Sequence, residues 1–248
     1  MSDFKDRIEK LNNMISQSRK IVFFGGAGVS TASGIPDFRS KDGLYNQHDV
    51  RFDKYEPEYL LSHSCLFDNP IVFYEFYRQK LDGRSVSPNI IHKTLADMEK
   101  HGKLSSIITQ NIDGLHQKGG SKRILEIHGT TQRNYCVRCK KEFDSDFIFN
   151  STERIPRCSC GGMVRPDVTL YEESLPQKVW EESIDEIESA DMLIIGGTSL
   201  MVYPASSLIR YYRGDNIVII NRDTTKYDSY ANLVFHENLE DVFEKIVI

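Results

Sequence analysis

Four of the five cysteines crowd into one short stretch, where Cys136-Val137-Arg138-Cys139 is followed after 18 residues by Cys158-Ser159-Cys160. Thiolates are soft ligands, and two pairs at this interval match a tetrahedral zinc site whose four sulfurs leave no coordination position open. The metal would be structural, one ion tying down a segment without a core of its own. The odd count argues against a closed disulfide framework, and the fifth thiol, Cys65, reads as a small buried apolar residue. The second pair has one intervening residue where zinc ribbons usually have two, which predicts a tight knuckle. A nucleic-acid ribbon is disfavoured, because Arg138, Lys140 and Lys141 are opposed by Glu142, Asp144 and Asp146.

A second constellation begins after the apolar run Ile21-Val22-Phe23-Phe24. Gly26-Ala27-Gly28 supplies two of the three glycines of a dinucleotide fingerprint, which lets the backbone turn tightly and approach a pyrophosphate. Taken alone, the turn also fits a bend that binds nothing. No lysine follows in phosphate-loop spacing, and residues 40–45 are turn-like where a dehydrogenase would end a second strand on an acidic residue. The polar continuation through Gly34-Ile35-Pro36-Asp37-Phe38-Arg39 is more than a fold requires, and loops over a crevice carry function. Ile107-Ile108-Thr109 ends in Gln110-Asn111-Ile112-Asp113-Gly114-Leu115-His116, whose amides, carboxylate and imidazole could hydrogen-bond a ribose and a carboxamide. His128 tops the run Leu125-Glu126-Ile127, where an imidazole could take a hydroxyl proton near neutral pH or serve only the fold. His48, His63, His92, His101 and His236 have no comparable context and read as surface or packing residues.

The elements that must position these groups are short. Phe4, Ile8, Leu11 and Ile15 recur at helical spacing, so an amphipathic helix opens the chain. Apolar runs at 21–24, 106–108, 125–127, 192–195 and 217–220 alternate with helical patterns at 90–101, 177–189 and 204–213. This alternation predicts an α/β fold, a Rossmann-like parallel sheet with helices on both faces and its crevice at the carboxyl ends of the strands. Residues 41–82 and 131–164 break the alternation and read as a helical insertion and a zinc-ribbon insertion that together form a small zinc-binding domain. The larger domain is then 1–40, 83–130 and 165–248. The chain has 248 residues and a formal charge of −5, without the basic excess of a nucleic-acid coat. No apolar run approaches a membrane span and the start lacks a signal-peptide pattern, so a cytoplasmic protein without membrane or nucleic-acid partner is expected.

Together these motifs, with Gly197-Thr198-Ser199-Leu200 and Asn221, resemble the sirtuins from about residue 5 to the end of the chain. The resemblance implies NAD-dependent removal of acyl groups from protein lysines. It places Ala27, Thr31, Phe38 and Arg39 around the cofactor, Gln110 and Asn111 at the nicotinamide-side ribose, and Ile112 and Asp113 at the nicotinamide. Thr198, Ser199 and Asn221 would bind the adenosine half, and the stretch 238–241, through Asp241, matches loosely a segment that touches adenine. His128 and Asn111 would be catalytic, with His128 as the base and Phe38 shielding the sugar from water.

The substrate peptide would lie as an added strand between 168–171 and 202–204 of a monomer. Glu172 stands where the family commonly has glycine, which could favour basic peptides or alter the turn. Members that prefer acidic acyl groups carry a Tyr-x-x-Arg pair, but Tyr74 is followed by Tyr77 in the arginine position, with Arg78 about 100° around the helix. An acetyl group is therefore expected in preference to succinyl. Two rival uses remain open at this point: transfer of ADP-ribose to a protein, and a non-catalytic zinc and nucleotide-binding module.

Overall fold

Strand β1 (Ile21–Gly25) is buried at every residue, so it must be covered on both faces and paired on both edges. The computed structural model, which describes residues 2–38, 40 and 43–248, supplies both. The further strands are β2 (Leu104–Thr109), β3 (Ile124–Glu126), β4 (Gly129–Cys136), β5 (Glu142–Asp144), β6 (Val164–Val168), β7 (Met192–Gly196), β8 (Ile217–Ile220) and β9 (Leu233–Phe235). Six of them form a parallel sheet in the order β3-β2-β1-β7-β8-β9. Gly25 pairs with Thr109 of β2 and Gly196 of β7, so three neighbouring strands end level and their next residues emerge side by side.

The helices are α1 (Ser2–Gln17), α2 (Pro57–Leu60), α3 (His63–Asp68), α4 (Pro70–Lys80), α5 (Ile90–Lys100), α6 (Leu115–Gly119), α7 (Ser145–Phe149), α8 (Gln177–Glu188) and α9 (Leu239–Phe243). Side-chain alternation sends Phe23, Ile107, Ile194 and Val218 to a core shared with α1, α5 and α9. It sends Val22, Phe24, Ile108, Ile195 and Ile219 to the opposite core, closed by α8 and the turn Ala205–Tyr211. Full burial of each such side chain contributes roughly 1.5–3 kcal/mol. A third core joins α2, α3 and α4 to the antiparallel sheet β5-β4-β6 and holds Phe73, Tyr74, Tyr77, Ile148 and two of the clustered cysteines. Among the described residues no helix is long and apolar enough to cross a membrane.

The glycine turn leads into two short 3₁₀ turns, Ala27–Val29 and Thr31–Ser33, the second ended by Gly34 in a left-handed conformation, with Pro36 following. The structure departs from the sequence reading in two places. The expected helix at 204–213 is likewise a 3₁₀ segment, Ala205–Tyr211. His116, grouped by sequence with the polar strand end, instead turns into the core from α6, 4.8 Å from the His92 ring and 6.4 Å from Phe23.

His92 completes a capping box with Asn89 at the start of α5, yet its Nε2 and both His116 nitrogens have no hydrogen-bond partner among the described residues. Burial lowers His92 to about 4 and His116 to about 3, the second also repelled by the first. Below the unfolded value near 6.5 the unfolded chain binds protons that the folded chain refuses, so this contribution is intact above pH 6.5 and falls as pH drops toward 4. The slope is at most about 1.4 kcal/mol per pH unit for each ring. Urea unfolding of His116→Leu is expected to be less sensitive than wild type to a change from pH 7 to 5; an equal loss in both proteins would contradict the assignment.

Candidate active site at the strand ends

The strand order reverses between β1 and β7, and there a cavity of about 1090 Å³ opens at the carboxyl ends of the strands. Its floor is a contact between two turns. Gly28 N–H donates to the Gly197 carbonyl at 2.8 Å and Gly26 N–H to the Gly196 carbonyl at 3.2 Å. A Cβ at Gly28 would meet Gly197 Cα at 2.7 Å, and one at Gly26 would meet Thr198 Cβ at 2.7 Å. These glycines therefore serve the approach of one turn to another, and their amides are already engaged.

The level strand ends gather the polar groups. Gln110 follows β2 and its Nε2 donates to Thr198 Oγ1 at 2.9 Å, bridging over the end of β1. Asn111 Nδ2 donates to Ser30 Oγ at 3.1 Å, and Ser30 Oγ donates to Asp113 Oδ2 at 2.7 Å. Leu115 N–H donates to the other Asp113 oxygen at 2.8 Å. Burial pushes the Asp113 carboxyl upward, against those hydrogen bonds. Asp113 faces a side pocket of about 130 Å³ that it shares with Ser30, Ile112 and Phe38. Ser30 escaped the sequence reading, since a serine in a glycine turn carries no signal beyond the turn itself.

His128 stands two residues beyond β3, and its Nδ1 lies 3.0 Å from the Gln110 carbonyl. A carbonyl can only accept, so Nδ1 carries the proton and the lone pair of the neutral ring is on Nε2. Ala27, Thr31, Phe38, Gln110, Asn111, Ile112, His128, Thr198, Ser199 and Asn221 all line the main cavity. Asp241 does not: it is exposed in the first turn of α9 and accepts from Asn238 Nδ2 at 3.2 Å, while Asn238, Leu239 and Glu240 form the wall. Arg39 lies outside the described residues.

The four cysteines converge as their spacing predicted. Cys136 and Cys160 sulfurs lie 3.5 Å apart, Cys139 and Cys158 sulfurs 3.7 Å, and all four within 4.8 Å of one another. A tetrahedron with Zn–S bonds of about 2.3 Å has edges of about 3.8 Å, so the cluster fits one zinc ion with every position filled. The N–H groups of Cys139 and Arg138 point at Cys136 Sγ and hold that thiol down to about 6. The short second pair is accommodated by Gly161, at φ +83°, and by Gly162, where a Cβ would meet Cys136 Sγ at 2.6 Å.

Comparison with known proteins agrees with this geometry. The Sir2 family model matches residues 26–204. The chain belongs to the Sir2 family. An NAD-dependent protein deacetylase of Clostridium perfringens is 51% identical over 98% of this chain and 99% of its own length. One from Clostridium acetobutylicum is 48% identical over 98% of both chains. A Sir2 structure with a p53 peptide and NAD+ superposes with a TM-score of 0.84 at 33% identity, covering 96% of each chain. Another, bound to acetylated peptide, gives 0.82 at 33% identity, covering 96% of this chain and 94% of that one.

Two features singled out in the sequence, Glu172 and Tyr77, acquire a physical account. Glu172 has φ +74°, a backbone region costly for a side chain, and its carboxylate accepts from Ser64 N–H at 2.8 Å and Ser64 Oγ at 2.7 Å in the first turn of α3. It thus ties the cavity wall to α3. Beside it, burial of Glu173 is outweighed by hydrogen bonds from Arg165, His63 and the Leu170 amide, which hold its carboxyl down at about 2. Tyr77 is fully buried, and the Arg78 guanidinium donates to the carbonyls of Ile148 and Glu153, away from the cavity. Gly162→Ala is expected to bring zinc below one equivalent per chain by elemental analysis; a full equivalent would show that the knuckle tolerates a side chain.

Proposed function

We propose that this chain is an NAD-dependent protein-lysine deacetylase that moves the acyl group from lysine to ADP-ribose and releases nicotinamide. The observation that carries the reading is the His128 imidazole at the cavity, its Nδ1–H held by the Gln110 carbonyl so that Nε2 is the basic atom. The names of the similar proteins support the same reading. NAD, when bound, supplies an ADP-ribosyl group with a cationic leaving group, whose departure leaves the sugar carbon open to a weak nucleophile such as an amide oxygen.

The protein's own part is to hold, orient and exclude. Thr198, Ser199 and Asn221, at the ends of β7 and β8, would take the adenosine half, and Ala27 and Thr31 the turn beneath the pyrophosphate. Gln110 and Asn111 would hold the nearer ribose. Ile112 and Asp113, in the side pocket, would hold the nicotinamide, its carboxamide donating to the carboxylate. His128 Nε2 takes the proton of a ribose hydroxyl, which makes that oxygen nucleophilic toward the acyl carbon. Phe38 keeps water from the sugar carbon, a place where hydrolysis would waste the co-substrate.

The peptide would enter between 168–171 and 202–204, both of which line the cavity, and pair through its backbone. The third core supports grouping 41–82 with 131–164 in a small domain, and strand β6 carries that domain on to Val168, past the boundary read from the sequence. A cytoplasmic location, where thiols stay reduced, suits four cysteines held by a metal. Arg222 is the sole Lys or Arg among the described residues of the main cavity, and it adjoins Asn221, so nothing described near His128 grips an acyl carboxylate.

Mass spectrometry of products from acetyl- and succinyl-lysine forms of one peptide with NAD tests the reading. Wild type should yield nicotinamide, free lysine peptide and acetyl-ADP-ribose, with acetyl turned over faster than succinyl. His128→Ala should lose about 10²–10⁴-fold in rate, the usual contribution of a positioned base. ADP-ribose attached to the peptide would indicate a transferase instead, and undiminished turnover by His128→Ala would remove the imidazole from the chemistry.

A further inference from the structure

Tyr45, given no role above, meets Tyr171 of the 168–171 segment at the cavity wall. The Tyr45 hydroxyl donates to the Tyr171 hydroxyl at 3.1 Å, and both residues line the cavity. Tyr171 is anchored from behind: its N–H donates to the Leu61 carbonyl at 3.0 Å, and its carbonyl accepts from His63 N–H at 3.0 Å. Its position is thus set by the third core and by the segment that continues from β6. Tyr45 is fastened to the segment that bears Phe38. Its N–H donates to the Phe38 carbonyl at 3.0 Å, the adjacent Leu44 N–H donates to the Asp37 carbonyl at 2.7 Å, and its ring centre lies 5.5 Å from that of Phe38. The hydroxyl pair therefore joins the wall proposed to carry the peptide to the ring proposed to exclude water.

We propose that Tyr171 is a positioning residue which, acting through Tyr45, holds Phe38 in the cavity wall and so favours capture of the sugar carbon by the acyl-lysine oxygen over capture by water. The assignment rests on the deacetylase reading. In both branches the bond between sugar carbon and nicotinamide nitrogen breaks, and its electron pair leaves with nicotinamide. In the productive branch a lone pair of the amide oxygen forms the new carbon–oxygen bond. In the wasteful branch a water oxygen forms it and passes a proton to solvent, giving ADP-ribose and an unchanged acyl-lysine. A phenylalanine at either position keeps the ring and removes the link.

The test uses Tyr171→Phe, Tyr45→Phe and the double variant, with two readouts. The first is hydrogen exchange of the Leu44 and Tyr45 amides in protein free of NAD and peptide. One neutral hydrogen bond biases a local opening by on the order of fivefold, so each single variant should exchange about fivefold faster and the double variant little more. The second is the ratio of nicotinamide released to acetyl-lysine consumed, near unity in wild type and raised above it in the variants. Unchanged exchange, or faster exchange with the ratio still at unity, would overturn the proposal. Absence of nicotinamide release by wild type on any acyl-peptide would instead overturn the deacetylase reading, while the exchange data would still report whether the hydroxyl link exists.

Discussion

Two parallel strands that end level, with turns in main-chain contact, set the geometry of this molecule. Gly28 and Gly197 approach so closely that no side chain fits between them, and the strand order diverges on either side of that point. A crevice is then unavoidable, because the chain leaving β1 and the chain leaving β7 travel to opposite sides. The same level ending delivers Gln110 beside the contact, where its side chain reaches Thr198 and its carbonyl receives His128. The His128 ring is thus oriented by a main-chain oxygen whose own position follows from sheet register.

The small sheet and its helices act on the site from a distance. Cys136 pairs with Val164 at the start of β6, and β6 runs directly into the cavity wall at 168–171. The Tyr74 hydroxyl donates to the Val164 carbonyl at 2.7 Å, and Arg78 grips carbonyls near α7, so helix α4 and the cysteine-bearing segment are locked together. A zinc ion held by the four sulfurs would fix the strand that leads to the wall.

Much of this was legible in the sequence, for identifiable reasons. Strands buried on both faces are continuous apolar runs, so 21–24, 192–195 and 217–220 could be read directly. The cysteine spacing announced its site because four soft ligands have few other uses in that pattern. Other features left no local trace. His116 sits in a polar run but turns inward, a choice made by the packing of α6 on α5. Strands β4 and β6 pair through a register shift between Thr130 and Asn134 that no alternation reveals, and the third core is assembled from two segments far apart in sequence, so neither shows it alone. Glu172 was visible as a departure, yet its task depends on Ser64, which only folding brings near.

The central claim is that His128 presents Nε2 as its basic atom because Nδ1–H is committed to the Gln110 carbonyl. Nitrogen-15 NMR of histidine-labelled protein at a pH where the ring is neutral, with His128→Gln to assign the signal, measures this directly. The account predicts a protonated Nδ1 and an unprotonated Nε2. A proton found on Nε2 with Nδ1 bare would contradict it, since that tautomer could not accept a proton at the atom assigned as the base.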